Sequence, residues 1–290
     1  MSAAAAGQRW RGPARGVAFV KGHGTENDFV VLTDPAGELE LTPSRVRALC
    51  DRHRGLGADG VLRVVRGSAV PDAPADTDPA EWFMDYRNAD GTVAEMCGNG
   101  LRLFARHLRE AGLVDATEFR VGTRSGSRTV RVHVDGWVTV GMGAVLRTRT
   151  STATVEGTGF SGLAVDVGNP HLACVTEVPV EQLDLTVPPG HDPTVFPHGV
   201  NVEFVNVVSG GVLRIRVHER GVGETRSCGT GTVAAVAAVL HAAGRSTGES
   251  DVEVPGGRVH VAISEESSAL SGPAVMVARG ELDPDWWARA

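Results

Sequence analysis

Two cysteines carry the chemistry this sequence can do. The stretch Ala94-Glu95-Met96-Cys97-Gly98-Asn99-Gly100 is echoed by Thr225-Arg226-Ser227-Cys228-Gly229-Thr230-Gly231. Each places a cysteine before Gly-x-Gly and a long apolar run without Gly or Pro. The first run has Leu101, Phe104, Ala105 and Leu108 at helical spacing. The second, Thr232 to Ala243, is apolar nearly all round, the pattern of a helix buried on every side. Each cysteine therefore stands where a loop becomes a helix N-terminus. Unpaired amides there attract an anion, and the positive dipole end favours a thiolate. Two thiols facing one carbon from opposite sides could invert it. A thiolate takes the α-proton while the opposite thiol delivers another, and a free thiol titrating near about pH 8.5 needs little tuning for this. The amides of Gly98, Asn99, Gly229 and Thr230 can hold a carboxylate and steady the charge that develops on it.

The elements that position these groups repeat. Val17–Phe19 and Phe29–Leu32 read as strands around a polar turn holding Asn27, and Gly60–Val65 and Trp82–Tyr86 follow as strands. Thr42-Pro43-Ser44 opens a helix with Val46, Leu49 and Cys50 on its buried face. Asn88-Ala89-Asp90-Gly91 is a turn. Glu118–Val121, Thr129–Val134 and Trp137–Val140 are strands, with Val132, Val134, Val138 and Val140 alternating. The order then restarts. Leu163–Val167 leads to Gly168-Asn169-Pro170-His171, a hairpin turns at Ser209-Gly210-Gly211, and the second cysteine helix precedes three closing strands. Asn27 and Asn169 are offset by nearly as much as Cys97 and Cys228, which suggests an internal duplication with drifted loops. Gly67–Pro79, rich in Pro, Asp and Ala, reads as a surface loop or disordered insertion. The expected fold is α+β: two pseudo-symmetric lobes, each a curved sheet or barrel around a central buried helix. The lobes are expected at 16–141 plus 274–290 and at 142–273, behind a disordered tail over 1–15.

Further site candidates lie at strand ends. His171 and Glu219 are two of them, and Glu219-Arg220 closes a strand just ahead of Cys228. Asn27, Asn88, Asn169 and Asn201 suit the amine and carboxylate of an amino acid, although each could be a plain turn residue.

The chain has 290 residues and a formal net charge of -7, which with no Lys/Arg cluster argues against a nucleic-acid partner. No apolar run has the length of a membrane span, and the N-terminal Ala tract lacks the h-region of a signal peptide. The four cysteines, Cys50, Cys97, Cys174 and Cys228, have neither CxxC pairing nor metal-ligand spacing, as expected of a cytoplasmic chain with reduced thiols and no metal.

Taken together, Asn27-Asp28-Phe29, Asn88-Ala89-Asp90-Gly91, Met96-Cys97-Gly98-Asn99-Gly100, Gly168-Asn169-Pro170-His171, Glu219-Arg220-Gly221, Gly223-Glu224-Thr225, Cys228-Gly229, Pro255-Gly256-Gly257 and Gly272-Pro273 resemble the diaminopimelate epimerase family from about Phe19 to Gly280. The resemblance implies a cofactor-independent isomerase converting LL- to meso-diaminopimelate in bacterial lysine and peptidoglycan synthesis, commonly as a homodimer. It implies that Cys97 and Cys228 are the acid/base pair, in the family's usual assignment donor and acceptor respectively, with His171 and Glu219 in support. Asn27, Asn88, Asn169, Asn201, Glu219 and Arg220 would grip the small-molecule substrate. Gly98-Asn99 and Gly229-Thr230 would lie under its reacting carboxylate, with Arg220 forking the distal one. Three departures stand out: Thr25-Glu26 for the usual Leu-Gly, Gly60 for a common glutamine, and Ala278 for a tyrosine tied to dimer packing. Two other readings compete. One is a racemase or isomerase of another small acid. The other is a binding module whose cysteines form a redox-sensing disulfide.

Overall fold

The computed structural model describes residues 16–290; the expected tail over 1–15 lies outside the described residues. The first half runs β1 (Ala18–Gly24), β2 (Asn27–Thr33), α1 (Pro43–Cys50), β3 (Gly60–Arg66), β4 (Trp82–Asn88), β5 (Val93–Ala94), α2 (Gly98–Glu110), β6 (Glu118–Val121), β7 (Arg128–Val132) and β8 (Trp137–Gly143). The second half runs β9 (Leu146–Val155), β10 (Thr158–Asp166), β11 (Pro170–Val175), β12 (Asn201–Val207), β13 (Leu213–Glu219), β14 (Gly223–Thr225), α3 (Gly229–Ala242), β15 (Gly248–Val254), β16 (Gly257–Ile263) and β17 (Ser268–Pro273). The chain closes with β18 (Val275–Glu281) and α4 (Pro284–Arg289).

The two halves share one wiring. In the first, β1–β2 is antiparallel, β2–β3 parallel, β3–β4 and β4–β5 antiparallel, and α2 follows. In the second, β10–β11 is antiparallel, β11–β12 parallel, β12–β13 and β13–β14 antiparallel, and α3 follows. Both helices then lead into an antiparallel three-strand meander, β6-β7-β8 or β15-β16-β17. A parallel contact joins each meander to the earlier strands, through the Phe83–Gly122 bridge in one half and Leu213–Val252 in the other. The last positions correspond as well: β18 flanks β1 as β9 flanks β10.

Strand pairing nonetheless crosses the halves. One sheet has the order β18-β1-β2-β3-β4-β5. The other runs β6-β7-β8-β17-β16-β15-β13-β12-β11-β10-β9, so β8 and β17 join the two meanders. Helix α2 packs chiefly on β1–β3, β7 and β8 and also touches β17 and β18, and α3 packs on β10–β13 and β15–β17. That packing supports our proposal of two lobes, 16–141 with 274–290 and 142–273, each wrapped on its own helix.

Helix α3 is buried because its sequence leaves almost no polar face for water, whereas α2 buries one side and turns Arg106, Arg109 and Glu110 outward. Leu101, Leu103, Phe104, Ala105 and Leu108 of α2 are inaccessible, and α3 is buried from Val233 to Ala237. One continuous core contains both. Phe104→Ala removes a fully buried ring from that core and is expected to cost about 3–5 kcal/mol, measurable by urea unfolding.

The structure corrects or adds to the local readings at four places. Val134 does not alternate with Val132: it lies in the His133–Gly136 turn and is wholly exposed. Strand β9 escaped notice because its Thr/Arg-rich face is largely exposed and offers no apolar alternation. Helix α4 is short, and its Trp286 and Trp287 pack toward the cluster holding Val46 and Leu49 of α1. The Gly67–Pro79 segment is tied down: Asp72 forks onto Arg124, which also reaches Asp85 at 2.8 Å.

Candidate active site

Cys97 and Cys228 are the N-caps of α2 and α3. The helix starts touch: a Cβ on Gly229 would stand 3.4 Å from the Cα of Gly98, and Leu270 packs against both glycines. A side chain at either position would crowd Leu270, and at Gly98 also Met142, so glycine keeps this junction of the two helix starts close-packed. Beside the junction is a cleft of about 1080 Å³ lined by both cysteines. Its wall includes Asn27, Asn88, Gly98, Asn99, Asn169 and Asn201, and also Glu219, Arg220, Gly229 and Thr230.

One expected residue is not on the wall. His171 is fully buried behind Asn169, its Nε2 2.9 Å from Asn169 Oδ1 and its Nδ1 2.7 Å from Glu203 Oε1. It therefore meets the cleft through Asn169. Glu203 is the partner that sequence reasoning missed. The available signal was a lone acid inside the apolar run Val202–Val205. Its carboxylate lies so close to α3 that a Cβ on Gly231 would stand 2.5 Å from Oε1.

Register shows how the duplicated scaffold was furnished differently. Phe29 pairs with Gly60 where His171 pairs with Asn201. Asn88 and Glu219 each stand nine residues before their cysteine. One cysteine thus has Asn88 and an apolar background, whereas the other has Glu219 and the buried His171–Glu203 pair. Glu219 accepts from Thr225 Oγ1, and burial raises its carboxyl above the usual range.

The side-chain amides are held in place. Asn27 Nδ2 donates to Asp59 Oδ2 at 2.8 Å, which turns Oδ1 toward Cys97 Sγ at 3.5 Å and Asn99 Nδ2 at 3.3 Å. Asn201 Oδ1 accepts from the Arg220 amide at 2.9 Å, while Asn201 Nδ2 donates to Pro170 O. Arg220 is exposed and its Nη1 donates to His198 O at 3.2 Å, with no ion-pair partner among the described residues.

The thiols do not follow the dipole alone. Burial pushes Cys97 up to about 11, against the amides of Gly100 and Asn99 that favour its anion. Burial also raises Cys228 well above its usual value, with Glu219 and Glu203 adding to it. Desolvation outweighs the helix ends here, contrary to the expectation from the motifs.

Two family departures have visible consequences. Thr25 and Glu26 occupy the left-handed region, at φ 50° and 62°, and bind the other half: Thr25 Oγ1 lies 2.8 Å from Ser227 Oγ, and Glu26 pairs with Arg226. A Cβ at Gly60 would lie 2.7 Å from the Tyr86 ring, which fills the place of a longer side chain.

Comparison with known proteins agrees with this geometry. The family model for diaminopimelate epimerase matches residues 19–148 and 163–281. The chain belongs to the diaminopimelate epimerase family. It is 56% identical over 283 residues to the diaminopimelate epimerase of Rhodococcus jostii, covering 93% of this chain and 98% of the relative. Identity to that of Mycolicibacterium smegmatis is 55% over 284 residues, with the same coverage. Among solved structures, a PhzF-family phenazine biosynthesis protein from Bacillus anthracis superposes with TM-score 0.67 at 16% identity, over 92% of this chain and 99% of that one. A hydroxyproline epimerase from Agrobacterium vitis gives 0.64 at 16%, over 95% and 94%. These two show the same fold. Within the diaminopimelate epimerase family framework, no helix among the described residues is long and apolar enough to cross a membrane.

Proposed function

We propose that this chain epimerises diaminopimelate between its LL and meso forms, with Cys97 and Cys228 as the acid/base pair. The observation that carries the reading is the meeting of two cysteine-capped helix starts at one cleft. In one direction a thiolate takes the α-hydrogen as a proton, and the electrons of the broken C–H bond spread into the α-carboxylate. The opposite thiol gives its proton to the other face and becomes the new thiolate. Roles exchange in the reverse direction. The amides of Gly98, Asn99, Gly229 and Thr230 stabilise the charge gathered on the carboxylate.

Support differs around the two sulfurs. Glu219, on the same cleft wall as Cys228 and raised by burial, is our candidate to exchange a proton with that thiol. The His171–Glu203 pair fixes Asn169 from behind. Arg220 has no acidic partner among the described residues, and its planar fork suits the distal carboxylate, with Asn88 and Asn201 alongside. A substrate with one carboxylate would leave that end unused, which sets diaminopimelate apart from simple amino acids.

The expected result in deuterium oxide is that LL-diaminopimelate yields the meso isomer with deuterium at the inverted carbon, whereas alanine and proline incorporate none. Exchange in simple amino acids at a comparable rate would replace this reading with that of a general racemase. Tight binding of diaminopimelate without any exchange would favour the redox-sensing module.

A further inference from the structure

Among the described residues Arg102 is the largest wholly buried side chain, and it has no acidic partner there. The contrast with other enclosed arginines is clear: Arg63 pairs with Asp34, and Arg124 with Asp72 and Asp85. Arg102 has only neutral contacts. Its Nη2 donates to Thr25 Oγ1 at 3.0 Å, its Nε to Pro273 O at 3.4 Å, and its Nη1 has no partner. Burying an uncompensated cation is costly, so the fold retains it against a strong penalty. Burial lowers Arg102 to about 10, which leaves it charged at neutral pH.

Its position suggests what the charge serves. A side chain on a helix leans toward the N-terminus. A Cβ on Gly24 would meet both Asn99 O and Arg102 Nη2, which places the guanidinium beside the first turn of α2, the turn that Cys97 caps. Cys97 is the acid whose charge acts on it. The other groups around that turn are accounted for. Glu219 disfavours a Cys97 thiolate, and the amides of Gly100 and Asn99 favour it. Tyr86 is held neutral by burial. Lys21 is taken by Asp28, Glu26 by Arg226, and Asn27 is turned by Asp59. Strands β8 and β17 present Met142 and Leu270, and α3 presents Cys228.

We propose that Arg102 is a positioning residue whose buried, unpaired charge lies under the first turn of α2 and stabilises Cys97 as a thiolate. The sulfur, once ionised, is the anion this guanidinium otherwise lacks. The inference rests on the acid/base reading of Cys97 given above.

The test follows Cys97 without turnover, through the pH dependence of iodoacetamide labelling at its peptide by mass spectrometry. Arg102→Met is expected to raise the labelling pKa of Cys97 by about one unit or more, a tenfold or greater slowing at a fixed pH below it, while Arg102→Lys keeps it within about half a unit. Thr25→Asp leaves Arg102 in place but sets a carboxylate against it, and Asp tolerates the left-handed backbone there. It is expected to raise the Cys97 pKa in the same direction, with Thr25→Asn as the neutral control. The alkaline shift is expected again in the kcat profile, with KM little changed. A Cys97 titration unmoved in both Arg102→Met and Thr25→Asp overturns the proposal. If Arg102→Met does not fold, Thr25→Asp against Thr25→Asn decides it alone. Failure of the acid/base reading itself shows elsewhere, as isomer inversion persisting in Cys97→Ala.

Discussion

Replacing either Cys97 or Cys228 by alanine is expected to lower interconversion of LL- and meso-diaminopimelate by at least about 10³-fold. Each sulfur is the sole proton carrier proposed for its face of the α-carbon, and neither is backed by a nearby histidine at the cleft wall, since His171 is buried behind Asn169. The two losses do not add. One thiol is useless for inversion without the other, so the double variant is expected to be no slower than the worse single one. A finer signature accompanies the loss. Each single variant retains a base on one face, so it is expected to exchange the α-hydrogen of one isomer with solvent without forming the other. Chiral chromatography with mass detection separates exchange from inversion. Interconversion at the parental rate in either variant sinks the two-thiol scheme.

Glu219→Gln is expected to reduce kcat by about 10²-fold or more while leaving the fold no less stable at pH 8. The sign follows from burial. The Glu219 carboxyl is raised in the folded protein, chiefly by desolvation. In the unfolded chain it titrates near about 4.3. Between those values the folded state binds more protons than the unfolded one, so stability falls as pH rises through the folded pKa. Below the unfolded value the penalty vanishes. A glutamine cannot ionise, and its side-chain oxygen can still accept from Thr225. The variant is therefore expected to melt at or above the parental Tm at pH 8, with the difference closing on acidification. Loss of both activity and stability would make the carboxylate a structural acceptor and nothing more. A gain in stability with loss of rate marks a group kept for its proton.

Much of this was legible in the sequence because the informative residues are punctuated by glycine. Cys97 and Cys228 announce themselves through Gly-x-Gly and the apolar helix behind each, and both proved to be N-caps. The repeat of strand order around Asn27 and Asn169 survives in the pairing of both halves. What escaped was whatever depends on a residue's distant surroundings. Glu203 looks like any strand residue until His171 is seen beside it. The balance at the thiols could not be read either, because a motif shows the helix end but not the burial that outweighs it. Strand β9 and the anchoring of Gly67–Pro79 by Asp72 lack local patterning for the same reason.

The matched wiring of the halves bears on ancestry. A chain with a single half would have owned one sulfur and one helix start, enough to reach one side of a stereocentre. Inversion would have required two identical copies meeting head to head, each furnishing what its mate lacked. A single chain holding both halves is free of that need for likeness: Phe29 stands at the position that His171 takes in the other half, and Asn88 at that of Glu219. An enzyme that works on both faces of one stereocentre is thus built from two halves of like wiring and unlike furnishing.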